Sequence, residues 1–237
     1  MERLFFGPWR RRTALLPSGF WAFILTAIGI GSAMALVLFG RTDGAGGPPG
    51  RIVSRLAGWL EQDDGLLALS DAVVSRQGIA GGMVALALLA TALRRWEAAL
   101  LACAGPLLAV QVTERLWKNL LAPEGLARSP FPSGHATAAV ALCFALFVGL
   151  SPQARRYAWT IVPLAVMTTG GALLGMATVV ANGTHDVRDA LGGGLAAVFG
   201  VALAASLIWI CATALDRRLR SLQRVHDPSA DAATAED

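Results

Sequence analysis

Two of the three histidines in the chain stand in polar segments at the ends of long apolar runs. The second of these, His185, precedes Asp189 by four residues, a spacing that places both side chains on one face of a helix. A carboxylate there can accept the proton of one imidazole nitrogen and leave the other nitrogen free as a nucleophile. His185 and Asp189 are therefore a candidate nucleophilic pair; the alternative is an ordinary helix start that contains these residues.

The other histidine, His135, belongs to the segment FPSGHATAA at residues 131–139, which has the composition of an anion-binding helix start. Ser133 is a favoured N-cap residue, and the first amides of a helix have no intrahelical partner. The helix dipole adds partial positive charge, and Gly134 lets an anion approach the backbone. The segment predicts a phosphate held at Ser133 and Gly134; the alternative is a capped helix without a ligand.

Two cations precede this segment, Lys118 and Arg128, and either can neutralise a bound phosphate, the first as a point charge and the second as a fork. Their alternative role is to anchor the chain at a membrane interface.

Taken together, these residues predict phosphoryl transfer through a phosphohistidine. His185 attacks phosphorus, the cations and the amides near Ser133 hold the phosphoryl oxygens, and His135 protonates the leaving alkoxide and then activates water. The chemistry needs no metal or other cofactor. The sequence has neither an H-E-x-x-H pattern nor a carboxylate cluster suited to magnesium.

The elements that must position these residues are those of a membrane protein. Hydrophobic residues make up 55% of the chain, charged residues only 15%, and the mean hydropathy is +0.56, whereas a soluble domain has about 25% charged residues. A span needs roughly 20 apolar residues, and polar backbone in lipid requires helices or a closed barrel. The runs are too long for barrel strands and predict an all-α bundle of six transmembrane helices near residues 20–40, 77–93, 98–113, 134–150, 158–180 and 190–215.

Arginine clusters fix the predicted orientation. They occur near residues 10–12, 94–95, 155–156 and 217–224, which fall on one side of a six-span bundle. The positive-inside rule makes that side cytoplasmic, so both termini are cytoplasmic and the active site is extracytoplasmic. The predicted organisation is a basic N-terminus (1–17), a membrane domain (18–215) and a tail (216–237) that is disordered at its end. Nothing in the basic residues indicates a nucleic-acid partner, and the sequence leaves the oligomeric state open.

Residues 41–76, on the extracytoplasmic side, contain an amphipathic stretch. Ile52, Leu56, Trp59 and Leu60 recur at helical spacing. The pattern favours an interfacial helix, and the alternative is a cap packed on the bundle. The three cysteines lie inside apolar runs and are predicted to be free thiols.

In these motifs the chain resembles the type 2 phosphatidic acid phosphatase superfamily of membrane lipid phosphatases. The family pattern is Lys-x6-Arg-Pro, then Pro-Ser-Gly-His, then Ser-Arg-x5-His-x3-Asp. The second motif is intact at residues 132–135, and the end of the third is present as His185-x3-Asp189. The resemblance covers roughly residues 78–215.

Two departures from the pattern concern arginines. Counting from Lys118, the first-motif arginine falls on Gly125, and Arg128 comes three residues late. Counting back from His185, the third-motif arginine falls on Val179. Arg188 is the first candidate to replace it, Arg128 is the second and Arg115 is a weaker one; the alternative is a pocket that holds its phosphate with fewer charges.

The resemblance implies a metal-independent phosphatase in a bacterial cytoplasmic membrane, acting on a lipid phosphate or diphosphate with a polyprenyl or phosphatidyl tail. Two alternatives stay open. The same phosphohistidine can be resolved by a sugar or lipid hydroxyl in a transferase, or the chain can be a non-catalytic relative that lacks the third-motif arginine.

Overall fold

The computed structural model describes residues 19–40, 47–121, 131–154 and 158–226. Within these ranges all regular structure is helical, which confirms the all-α prediction. Arg128, the basic N-terminus and the end of the tail lie outside them. The helices are α1 (Gly19–Gly40), α2 (Pro48–Leu60), α3 (Asp64–Val74), α4 (Arg76–Ala92), α5 (Trp96–Val112), α6 (Lys118–Leu120), α7 (Gly134–Ala154), α8 (Ala158–Ala181) and α9 (Val187–His226), with a π-helical turn at Thr113–Trp117 between α5 and α6.

Each of the six predicted spans is a helix in the structure. Within the described residues, four helical stretches are long and apolar enough to cross a membrane: Trp96–Leu120, Gly134–Ser151, Trp159–Ala181 and Val187–Leu219. A fifth is possible if α3 and α4, which meet at a bend of 61°, form one span. Among the residues of α1 whose side chains the structure describes, the apolar stretch is Ile24–Leu38. The structure therefore supports a membrane bundle with four or five candidate spans.

Helices α5, α7 and α9 pack on one another at the centre of the bundle, with α1 against α9, α4 against α5 and α8 against α7. Small side chains dominate these contacts, as is usual where helices associate in lipid. At Gly200 of α9, an added Cβ would collide with the backbone of Ala109 in α5. Large apolar side chains such as Leu88 and Val166 are each 65% exposed, as expected of a surface that faces lipid.

The amphipathic stretch forms two helices, α2 and α3, because Asp63 interrupts it and caps α3 by accepting hydrogen bonds from the amides of Gly65 and Leu66, both at 3.0 Å. Helix α2 packs on α8 through the smaller residues Val53 and Ala57, together with Leu60.

Two residues of the predicted apolar face of α2, Ile52 and Trp59, remain 47% and 53% exposed. The helix thus packs on the bundle with one face and keeps a second apolar face outward. Small residues turn inward because they permit a closer approach to α8.

Candidate active site

The segment before α7 begins the helix as predicted. Ser133 is fully buried, and its hydroxyl oxygen accepts a hydrogen bond from the amide of Ala136 at 3.3 Å. Its carbonyl accepts from the amide and the hydroxyl of Thr137, at 3.0 and 2.7 Å. Ser133 therefore serves as the cap, and the first helical amides, those of Gly134 and His135, have no intrahelical acceptor. His135 lies exposed on this first turn.

The start of α9 is joined to the start of α7 through the backbone. The amide of Ser133 donates to the carbonyl oxygen of Asp189 at 3.0 Å. Gly193, one turn further along α9, makes this approach possible, because an added Cβ would lie 2.6 Å from the carbonyl oxygen of Ser133 and 3.1 Å from the amide of Thr137. The two predicted motifs thus meet in space, although more than 40 residues separate them in sequence.

His185 and Asp189 form the predicted pair, with 3.2 Å between Nδ1 and Oδ2. Both are largely withdrawn from solvent, with side-chain exposures of 17% and 12%. In the neutral tautomer that donates from Nδ1 to the carboxylate, the lone pair lies on Nε2. The pair has the geometry that a nucleophilic histidine and an orienting carboxylate require.

The local structure that produces this pair differs from the predicted one. The sequence suggested that both residues lie on one helix, but α9 begins only at Val187. Asp186 is the capping residue, because its Oδ1 accepts from the amide of Asp189 at 2.7 Å. His185 therefore precedes the helix and reaches back to the carboxylate on the first turn.

The turn that carries His185 is held from both sides. Gly183 has φ +65°, a left-handed conformation suited to glycine, where α8 ends. Thr184 donates its hydroxyl to the carbonyl of Val179 at 3.2 Å. The side-chain amide nitrogen of Asn182, Nδ2, donates a hydrogen bond to Oδ1 of Asp71 at 2.6 Å. Asp71 belongs to α3, so this helix contacts the turn that carries His185, a contact with no signal in the sequence.

Lys118 lies at the site beside Glu114, a residue that the sequence did not lead us to predict as part of the site. Its Nζ lies 2.7 Å from Oε1 of Glu114, and an added Cβ on Gly134 would lie 2.5 Å from the same oxygen. The pair is therefore at the N-terminal end of α7. The sequence contained one signal for this contact, because a glutamate four residues before a lysine can form an ion pair with it on a helix.

Arg188, the candidate replacement for the absent arginine, lies beside the segment that leads into α7. Its guanidinium carbon is 5.3 Å from the centre of the Phe131 ring, and that ring packs against Gly192. Val179, where the family pattern has the arginine, is only 3% exposed within α8. Arg128 lies outside the described residues.

In the part of the chain that the structure describes, no group of three or more His, Cys, Asp or Glu side chains is placed to hold a metal ion. The arrangement consists of a histidine oriented by a carboxylate, a second histidine, two cations and a helix N-terminus. These are the components of nucleophilic phosphoryl transfer with electrostatic stabilisation of the transition state.

Comparison with protein families gives one result that bears on this site. Residues 109–216, which include α6, α7, α8 and the site residues named above, match the model of the PAP2 superfamily. Comparison with curated proteins and with solved structures gives no match.

Proposed function

The chain belongs to the PAP2 superfamily, and from this premise we propose that it is an integral-membrane lipid phosphate or diphosphate phosphatase that forms a phosphohistidine. The observation that carries the proposal is the His185–Asp189 contact of 3.2 Å beside the capped start of α7. The family as a whole supports activity on phosphate esters. Beyond that general activity, we propose that His185 is the nucleophile, that the substrate is a lipid and that the site lies on the extracytoplasmic face of the membrane.

In the first step, Nε2 of His185 attacks phosphorus and the bond to the leaving oxygen breaks. His135 gives its proton to that oxygen, while Asp189 stabilises the positive charge that develops on His185. Lys118, Arg188 and the amides of Gly134 and His135 stabilise the charge on the phosphoryl oxygens.

In the second step, His135 removes a proton from water, and the water oxygen attacks phosphorus. The bond from phosphorus to His185 breaks, so orthophosphate leaves and the imidazole is restored.

A lipid substrate is supported by an apolar cavity between α7 and α8, with a volume of about 310 Å³. Val140, Phe144, Phe147 and Met176 are among its lining residues. Val140 follows His135 by five residues, or about 7.5 Å along the helix axis. We propose that the hydrocarbon tail of the substrate lies in this cavity and that its phosphate binds at the first turn of α7.

The proposal also includes the membrane arrangement. We place the protein in a bacterial cytoplasmic membrane with six spans, both termini in the cytoplasm and the site on the extracytoplasmic face. The distribution of arginines supports this orientation.

The test is release of orthophosphate from detergent-solubilised polyprenyl diphosphate, phosphatidate and phosphatidylglycerophosphate, with His185→Ala as the blank. Activity is expected to survive chelation of divalent metals and to fall with orthovanadate, which mimics five-coordinate phosphorus. A phosphodiester product without orthophosphate would identify a transferase. Equal turnover by the wild type and the blank would refute the proposed nucleophile.

A further inference from the structure

Glu114 places a carboxylate at the point where the proposed phosphate would bind. Its Oε1 is 2.7 Å from Nζ of Lys118, the only lysine in the chain. The same oxygen lies against Gly134, whose amide is among the first of α7. An ammonium group and a helix N-terminus are the two features that attract a phosphoryl oxygen, and here both are next to the carboxylate.

The position of Glu114 is fixed by the π-helical turn, Thr113–Trp117, in which it lies. At one end of the turn, the hydroxyl of Thr113 is 3.4 Å from that of Thr137 in α7, and both residues are fully buried. At the other end, Trp117 is 5% exposed and meets the ring of Phe199 edge to face at 5.6 Å. Such turns recur at functional sites, and this one holds the carboxylate beside the first turn of α7.

A carboxylate and a phosphoryl group cannot share this place without strong repulsion. A phosphate that binds to Lys118 must break the ion pair between Lys118 and Glu114. The loss of this ion pair lowers the affinity of the site for any anion. A substrate with a long apolar tail gains affinity from the buried tail, whereas orthophosphate and short phosphate esters gain little.

We propose that Glu114 is a binding-site residue that acts as the resident anion of the phosphate site. It weakens the binding of every phosphate there, so that only a substrate with a buried apolar tail binds strongly and the free phosphate product is released readily. The inference rests on the proposed function, because it assumes that a phosphate binds at Lys118 and the start of α7.

The expected effect of Glu114→Gln follows from removing the competing charge. Orthophosphate and orthovanadate should inhibit about tenfold more strongly, the size expected for one charge-assisted contact. The kcat/KM values for nitrophenyl phosphate and for a long-chain lipid phosphate should rise by similar factors, because both substrates carry the same phosphate. Glu61→Gln, the same change of charge at an exposed position at the end of α2, serves as the matched control and should alter neither quantity.

Binding can be measured apart from turnover because Lys118 is the only lysine. Reductive methylation with ¹³C-formaldehyde gives one side-chain signal besides that of the amino terminus, and its shift is followed during titration with orthovanadate. Tighter binding by Glu114→Gln than by the wild type supports the inference. Glu114→Asp, which keeps the charge on a shorter side chain, provides the second variant if the first does not fold, and an intermediate affinity is expected.

Equal vanadate affinities in the wild type and in these variants would overturn the role of Glu114 and leave the proposed function intact. A Lys118 signal that does not respond to vanadate in any variant would overturn the phosphate site, and with it the proposed function.

Discussion

The amide of Ser133 donates to the carbonyl oxygen of Asp189 at 3.0 Å, and this hydrogen bond joins the cap of α7 to the carboxylate residue that orients His185. Both residues are buried, Ser133 fully and Asp189 at 9% exposure. The spacing between the proposed nucleophile and the proposed phosphate site therefore depends on the contact between two helix N-termini.

Gly193→Ala should disturb that contact. The added Cβ would lie 2.6 Å from the carbonyl oxygen of Ser133, a backbone atom that cannot rotate away. Overpacking of this kind costs about 1–3 kcal/mol of unfolding free energy, and turnover should fall because the two motifs separate. Thermal unfolding in detergent and phosphate release measure the two effects.

The control for this prediction is Gly170→Ala in α8, where an added Cβ meets nothing within 4 Å. The unfolding temperature and the turnover of Gly170→Ala should therefore stay close to those of the wild type. Equal behaviour of the two variants would show that the close approach at Gly193 is unimportant.

Replacement of the two histidines should separate their roles. His185→Ala removes the nucleophile, so no phosphoenzyme should form with any substrate. His135→Ala removes the acid, so turnover of alkyl phosphates should fall by about 10²–10⁴-fold, while nitrophenyl phosphate, whose leaving group needs little protonation, should lose much less. Equal losses for both leaving groups would argue against His135 as the acid.

The hydrogen bond of 2.6 Å between Asn182 and Asp71 should support the turn that carries His185. Asp71→Ala and Asn182→Ala should each lower kcat severalfold with little change in KM. A double-mutant cycle on thermal unfolding should give a coupling of about 0.5–1 kcal/mol, since the contact is exposed. Additive losses would mean that α3 does not position the catalytic turn.

Arg188→Ala should reduce turnover by about a hundredfold if Arg188 replaces the arginine absent at Val179. Arg188→Lys should restore little, because an ammonium group neither forks around a phosphate nor stacks on the Phe131 ring as a guanidinium does. Size-exclusion chromatography would check that both variants stay folded. Turnover of Arg188→Ala within about twofold of the wild type would leave Arg188 as a structural residue.

The membrane orientation is tested by a cysteine at Thr184, an exposed residue in the turn before His185. In a Cys211→Ser background, an impermeant thiol reagent should label this cysteine in intact cells. A cysteine at Leu219, near the other end of α9, should react only after lysis. The reverse pattern would place the site in the cytoplasm.

The sequence by itself determined the helical class and the positions of all six apolar helices, because an apolar run in lipid must satisfy its backbone within the helix. It also determined the two histidine motifs and the cap at Ser133, since these depend on contacts between residues a few positions apart. The sequence predicted that the last span ends near residue 215, and α9 continues beyond that point to His226.

Only the tertiary structure decided which residues surround those motifs. Glu114 reaches Gly134 because a π-helical turn redirects the end of α5, and Asp71 reaches Asn182 because α3 folds back on α8. Asp186 caps α9, since the turn at Gly183 ends α8 before the next helix starts. These contacts join residues far apart in the chain or depend on the exact path of a turn. They therefore cannot be predicted from hydropathy or from the spacing of residues.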